Sequence, residues 1–205
     1  MNTHPIPLHF YFDFISPFGY FAALRIEQLA AKHGRQVEWH AMLLGVSVMK
    51  VMGLKPLLDT PLKGDYIRRE AERYMRRHSL VLKRKVDDKM MDPRNAGRAF
   101  YWIKKHKPEL LVASVHAIYE AYWVQGLNLS NSELIAEIVS RLGVETKWLI
   151  DGIESIEAGQ MLRSGVDDSL KLGVFGSPTV LVDDELFWGV QSFELLDDWL
   201  ATGGW

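Results

Sequence analysis

The sequence predicts an α/β fold in which a block of helices lies between two short segments that contain β-strands. Alternating apolar residues at Leu8, Phe10 and Phe12 predict a first strand. A helix and a second strand follow with short connections, a pattern typical of a parallel βαβ unit. A hairpin and a last helix end the chain, so the predicted order is β-α-β, helical insertion, β-β-α.

The change from strand spacing to helical spacing and back predicts two domains. Residues 1–44 and 173–205 are expected to form a mixed α/β domain from the two ends of the chain. Residues 45–172 show only helical spacing and loops rich in Gly and Pro, so they are expected to form a helical insertion domain.

The first βαβ unit follows from local signals. Pro17 suits the first position of a helix, because its missing N–H group would have no partner there anyway. This helix is predicted to continue to about Lys32, with Gly34 as its C-terminal stop. The alternation from Val37 to Leu43 then predicts the second strand.

Similar signals place elements later in the chain. The pattern Ser130-x-x-Glu133 predicts a capping box at the start of a helix. Residues 179–182 and 186–188 are predicted as two strands joined by a short turn. Ser192 is predicted to cap the final helix.

Composition excludes several classes of function. The chain has 205 residues and a net charge of −2, which argues against a dedicated nucleic-acid-binding protein. It contains no cysteine, which excludes disulfides, thiolate metal sites and thiol chemistry by the protein itself. No signal peptide or membrane-spanning stretch is recognised, so a cytoplasmic protein without membrane contact is expected. No spaced His/Cys cluster is present. His116 and Glu120 are four residues apart on a predicted helix and could form a ligand pair, but they are interpreted as ordinary neighbours on a helix face, and no metal site is predicted.

Ser16 is the main candidate for chemistry. It follows the first strand and lies at a predicted helix start, where unpaired N–H groups favour negative charge. This position predicts an anion or thiolate site, and the alternative is that Ser16 only caps the helix. The segment Gly176-Ser177-Pro178 is the second candidate, with an ordinary turn as its alternative.

These two motifs together resemble the thioredoxin fold in its DsbA variant, which carries a helical insertion. In that fold a Cys-x-x-Cys motif begins the first helix, and here the corresponding residues are Ser16-Pro17-Phe18-Gly19. A cis-proline precedes the third strand of the fold and faces the active site, and Pro178 occupies that position. The resemblance therefore implies a cis peptide bond at Pro178.

The stretch from Phe10 to Phe18, together with the stretch from Val174 to Thr179, resembles the 2-hydroxychromene-2-carboxylate isomerase family, which is related to the kappa-class glutathione transferases. The resemblance implies glutathione as cofactor, a role in aromatic catabolism, and a homodimer. It implies an isomerase that acts on 2-hydroxychromene-2-carboxylate or a similar unsaturated acid. An imported thiol is consistent with the lack of cysteine.

The resemblance also implies roles for individual residues. Ser16 would donate a hydrogen bond to the glutathione sulfur and stabilise its thiolate. The backbone of Ser177, next to Pro178, would pair with the cysteinyl part of glutathione. Lys63 would contact a carboxylate of glutathione. Gln191 and the backbone of Ser192 would lie at its γ-glutamyl end.

Three residues are candidates for the pocket of the aromatic acid. Phe18 lies beside Ser16 in the first turn of the helix, and Asn95 and Arg98 follow the turn at Pro93. An arginine can bind a carboxylate through two parallel hydrogen bonds.

Two departures from the family pattern leave alternatives open. Leu54 replaces a family asparagine, and Val190-Gln191-Ser192 replaces Asn/Ser-Asp-Arg after the last hairpin glycine. Gln191 can form hydrogen bonds but supplies no charge for the amine of glutathione. One alternative function is a kappa-like glutathione transferase that conjugates an electrophile. The other is a non-catalytic thioredoxin-fold binding protein.

Overall fold

The computed structural model describes residues 6–205 and confirms the α/β class. One four-stranded sheet has the order β2-β1-β3-β4, in which β1 and β2 are parallel and the other neighbours are antiparallel. The predicted βαβ unit and the C-terminal hairpin are therefore confirmed. The strands are β1 (Leu8–Phe12), β2 (Val37–Ala41), β3 (Thr179–Val182) and β4 (Glu185–Trp188).

Helices make up most of the remaining described chain, and within residues 6–205 no strand lies between β2 and β3, as predicted. Short π-helical turns occur at Gly45–Val51 and Glu120–Val124, and a 3-10 turn at Val190–Ser192 precedes the last helix. The α-helices are α1 (Pro17–Ala23), α2 (Ile26–Lys32), α3 (Lys63–Arg77), α4 (Arg94–His106), α5 (Leu111–Tyr119), α6 (Ser132–Ser140), α7 (Thr146–Glu154), α8 (Ile156–Lys171) and α9 (Phe193–Thr202).

The prediction of one continuous helix from Pro17 to Lys32 is wrong, because the chain turns between α1 and α2. The N–H group of Arg25 donates to the carbonyl of Ala22, three residues back, which ends the α-helical pattern. The Arg25 side chain extends from this turn to the hydroxyl of Tyr74 on α3 and over the ring of Phe193. The turn thus depends on contacts with distant parts of the chain.

One cap prediction is wrong, and a second is correct only for the position of the residue. Asn131, and not Ser130, caps α6 by accepting a hydrogen bond from the N–H group of Leu134. Ser192 occupies the N-cap position of α9 as predicted, but its hydroxyl donates to the carbonyl of Gly189 instead of accepting from the helix. The hydroxyl of Ser130 likewise has other partners, since it donates to the side chain of Asn128 and accepts from the N–H group of Asp92.

The larger of two buried clusters lies on the face of the sheet that carries Phe10 and Phe12, and a smaller one around Tyr11, Met42 and Val174 lies on the other face. Phe10 and Phe12 of β1 are fully buried and contact the ring of Trp39 edge to face. Phe100 of α4 packs against Phe12 in the same way, so the cluster of buried side chains joins the sheet to the helices. The division into the domains 1–44 plus 173–205 and 45–172 stays a prediction.

A helix that crosses a bilayer must be both long and apolar. Within residues 6–205, no helix is both long enough and apolar enough to cross a bilayer.

Candidate active site

Ser16 caps α1 and also contacts the loop that precedes β3. β1 ends at Phe12, and the N–H group of Ser16 donates to the carbonyl of Asp13 across the turn. The Ser16 hydroxyl accepts from the N–H group of Gly19 at 3.0 Å, which confirms its role as a cap. Its own proton is donated to the carbonyl of Ser177 at 3.0 Å. The side chain is therefore more than a cap, since it links two segments that are distant in sequence.

The loop before β3 has the predicted cis peptide bond between Ser177 and Pro178. The hydroxyl of Ser177 accepts from the N–H group of Asp13 at 2.9 Å, and the carbonyl of Pro178 accepts from the N–H group of Gly189 at 2.9 Å. Within residues 6–205, the N–H group of Ser177 donates to no protein acceptor, and the residue is half-buried. This loop therefore offers one free backbone donor beside Ser16.

Gly19 allows the close approach of α1 to this loop. A Cβ atom at this position would lie 2.8 Å from the hydroxyl oxygens of both Ser177 and Tyr119, and 3.2 Å from the carbonyl of Asp13. A larger residue would therefore push the first turn of α1 away from Ser177.

Asp13 is a buried acid at the site that the sequence analysis did not select. Its side chain is 1% exposed, and its two carboxyl oxygens accept from the N–H groups of Ile15 and Leu44 at 3.2 and 2.7 Å. Burial raises the pKa of Asp13 from 3.8 to about 7, although these two hydrogen bonds favour the ionised form. The sequence signal that could have identified Asp13 is an acidic residue inside an aromatic stretch, three residues before Ser16.

Two aromatic side chains from the helical part fix the turn between β1 and α1. The hydroxyl of Tyr119 donates to the carbonyl of Asp13 at 3.1 Å, and the indole of Trp123 donates to the carbonyl of Phe14 at 3.0 Å. Burial raises the pKa of Tyr119 well above its ordinary value, so this phenol remains a donor at neutral pH. This contact of Tyr119 with the turn before Ser16 was not predicted from the sequence.

Gln191 and Ser192, which are predicted to hold the γ-glutamyl end of glutathione, lie beside α1 and are more exposed than Ser16. The turn Val190–Ser192 packs against α1. The amide of Gln191 donates to a carboxylate oxygen of Glu70 at 3.1 Å, so an acid from α3 lies next to the position where the family acid is lacking. Lys63 begins α3 and is exposed.

The candidate substrate residues differ in their placement. Phe18 lies in the first turn of α1 and contacts the ring of Phe21 edge to face. The side chain of Asn95 donates to the carbonyl of Ser130, and that of Arg98 donates to the carbonyl of Ile153. The structure brings neither Asn95 nor Arg98 into contact with Ser16 or Ser177, so their role in substrate binding stays a prediction.

A mixed sheet, a helix capped by Ser16 and a cis-Pro178 loop facing it define a protein of the thioredoxin-fold class. The DSBA-like thioredoxin domain family matches residues 7–201, and the chain belongs to this family.

Relatives within this class include isomerases. The 2-hydroxychromene-2-carboxylate isomerase of Pseudomonas sp. (strain C18) is 26% identical over 196 residues, which cover 95% of this chain and 89% of that protein. A solved structure of a 2-hydroxychromene-2-carboxylate isomerase has a TM-score of 0.81 at 24% identity, covering 97% of this chain and 95% of the other. The resemblance predicted from the sequence is confirmed.

Thiol–disulfide proteins share the same fold. The cytosolic disulfide reductase DsbM from Pseudomonas aeruginosa, solved with glutathione, has a TM-score of 0.65 at 16% identity. The alignment covers 96% of each chain. At this identity the comparison shows the fold.

Proposed function

We propose that this protein binds reduced glutathione at Ser16 and Ser177 and isomerises 2-hydroxychromene-2-carboxylate or a similar unsaturated aromatic-derived acid. The observation that carries the proposal is the Ser16 hydroxyl, 4% exposed and directed at the carbonyl before cis-Pro178, in a chain without cysteine. The relatives named as isomerases support the reaction class. A cytoplasmic location and a homodimer stay predictions.

The groups around Ser16 fit a thiol-bearing peptide. The free N–H group of Ser177 is a donor for the backbone of an extended ligand, as in the addition of a strand. The Ser16 hydroxyl has one proton, which it now donates to the carbonyl of Ser177. Rotation of this hydroxyl would release that carbonyl as an acceptor and direct the proton at a thiolate.

Glu70 provides the charge that Gln191 lacks. Its carboxylate lies 3.1 Å from the Gln191 amide and is also paired with Arg73. The side chain is 13% exposed, so water screens its charge only in part. We assign Glu70 as the partner of the glutathione amine, with Gln191 orienting its carboxylate.

The reaction needs only a thiolate held in place. Glutathione held at Ser16 and Ser177 would supply a thiolate nucleophile for reversible addition to the substrate double bond, which would allow rotation about that bond. The Ser16 hydroxyl would stabilise the negative charge on the sulfur atom by donating a hydrogen bond to it. No electrons are gained or lost overall, which agrees with a chain that has no thiol of its own.

The test of this function uses Ser16→Ala with Ser169→Ala as a matched control. Ser169 is also buried, but its hydroxyl donates only to Val166 within its own helix. We expect glutathione to bind the wild type in titration calorimetry. Ser16→Ala should lower isomerase turnover by about 100-fold, the effect typical of losing one donor to a developing anion. Ser169→Ala should leave turnover within about twofold of the wild type.

Several results would contradict the proposal. If calorimetry shows no heat of binding at millimolar glutathione, the protein does not use this cofactor, and the proposed isomerase mechanism fails with it. Equal turnover of Ser16→Ala and the wild type would leave Ser16 as a helix cap alone. A stable glutathione adduct in place of the isomer would identify a transferase.

A further inference from the structure

We propose that His9, Glu38 and His40 form a binding site for a divalent first-row transition-metal ion, with Zn²⁺ as the reference ion. The three side chains lie on the face of β1 and β2 opposite Phe10 and Trp39. They are separate from the candidate active site. His9 precedes Asp13 by four residues, which corresponds to about 13 Å along an extended chain.

The strand geometry places the three residues together. Glu38 and His40 are two residues apart on β2, so their side chains emerge on the same face of the sheet. The parallel register pairs His9 directly with Glu38. One ligand from β1 and two from β2 therefore converge without any loop.

The distances between the ligand atoms suit a small cation. His9 Nδ1 and His40 Nε2 lie 3.1 Å apart. Glu38 Oε2 lies 3.6 Å from His9 Nδ1, and Glu38 Oε1 lies 3.7 Å from His40 Nε2. Zn²⁺ with ligands at about 2.0–2.1 Å has ligand atoms about 3.3 Å apart in a tetrahedron. Two imidazoles and one carboxylate leave the fourth position to water.

The surrounding side chains hold these ligands in place. The ring of Tyr11 stacks on the imidazole of His40 with centroids 4.7 Å apart. The ammonium group of Lys104 donates to Glu38 Oε1 at 3.2 Å and to the carbonyl of Trp39 at 2.8 Å. Lys104 therefore orients the carboxylate but also repels a cation, so the affinity should be moderate and should rise when this charge is removed.

The experiment is titration of Zn²⁺ into the chelator-treated full-length protein, followed by calorimetry. We expect one ion per chain, and affinity about tenfold or more weaker in both His40→Ala and Glu38→Gln. Lys104→Met should bind more tightly than the wild type. Titration of the wild type with Co²⁺ should give the intense visible absorption of a tetrahedral site. His40→Ala and Glu38→Gln should lack this absorption.

His33→Ala is the matched control. His33 also contacts a carboxylate, that of Asp197, which it shares with Lys32. Among residues 6–205, no second imidazole joins this pair. This variant should bind Zn²⁺ like the wild type, and circular dichroism should show that all variants are folded. The proposal would be overturned if no binding were seen up to about 1 mM Zn²⁺, because a dissociation constant above that value is too weak for a built site. Binding that survives both His40→Ala and Glu38→Gln would also overturn it.

Discussion

The two ends of the proposed glutathione site are built in different ways. At the sulfur end, Ser16, Asp13 and Ser177 are joined by hydrogen bonds between backbone and side chain, and the first two are almost fully buried. At the amine end, the exposed Gln191 and the largely buried Glu70 meet through one contact between side chains.

This difference indicates which end tolerates sequence change. Buried hydrogen-bonded groups that lose a partner destabilise the fold as well as the site, so the sulfur end is under structural constraint. An exposed side chain such as that of Gln191 contributes little to stability, so it can be substituted freely. The amine end can therefore lose an acid after the last hairpin and take one from another segment. Gln191 after β4 lacks the family acid, and the neighbouring Glu70 on α3 has one, which is consistent with such an exchange.

The pH dependence of stability tests the burial of the sulfur end and should show the largest effect. Because the pKa of Asp13 is raised to about 7 in the folded state, the folded protein binds more protons than the unfolded chain between about pH 4 and 7. The free energy of unfolding should therefore fall as pH rises through this range, by up to about 4 kcal/mol from this group.

Urea unfolding of the wild type and of Asp13→Asn from pH 4.5 to 8 measures this contribution. The difference in unfolding free energy between the two proteins should change with pH, because the variant lacks the titrating carboxyl group. A constant difference across the range would show that Asp13 is ionised throughout.

Gly19→Ala tests the close packing of α1 against the loop at Ser177. The added methyl group would contact the hydroxyls of Ser177 and Tyr119 at 2.8 Å. We expect this overpacking to lower the free energy of unfolding by about 1–3 kcal/mol. The higher helix propensity of alanine acts in the opposite direction and offsets at most about 1 kcal/mol of that loss. Urea denaturation measures the change.

Gly45→Ala is the control for this substitution. A Cβ atom at Gly45 has no neighbour within 4 Å, so the variant should stay within about 0.5 kcal/mol of the wild type. Equal stability of Gly19→Ala and Gly45→Ala would mean that α1 can move away from the loop at little energetic cost.

Glu70→Gln tests the amine end and should have the smallest effect. Loss of one partly exposed charge should weaken glutathione binding by about two- to fivefold, which corresponds to about 0.5–1 kcal/mol. Glu72→Gln removes an acid two residues further along α3, where Glu72 pairs only with Arg76, and should leave the affinity unchanged. Titration calorimetry compares both with the wild type, and equal affinities of the two variants would argue against the role of Glu70.

Local signals in the sequence predicted most of the framework. Alternation at Phe10 and Phe12 identified β1, and Pro17 identified the start of α1. The same signals were insufficient at the break after Ala23 and at the cap of α6, because Arg25 and Ser130 find partners elsewhere in the chain. Periodicity describes a segment by itself and carries no information on such partners.

The sequence by itself determined the α/β order, the exclusion of protein-borne thiol chemistry, and the pairing of Ser16 with Pro178 as the candidate site. Only the tertiary structure decided the burial of Asp13, the contact of Glu70 with Gln191, and the convergence of His9 with His40. The physical reason is that burial, pKa and ligand geometry depend on groups that are far apart in the chain and meet only when the sheet and helices pack.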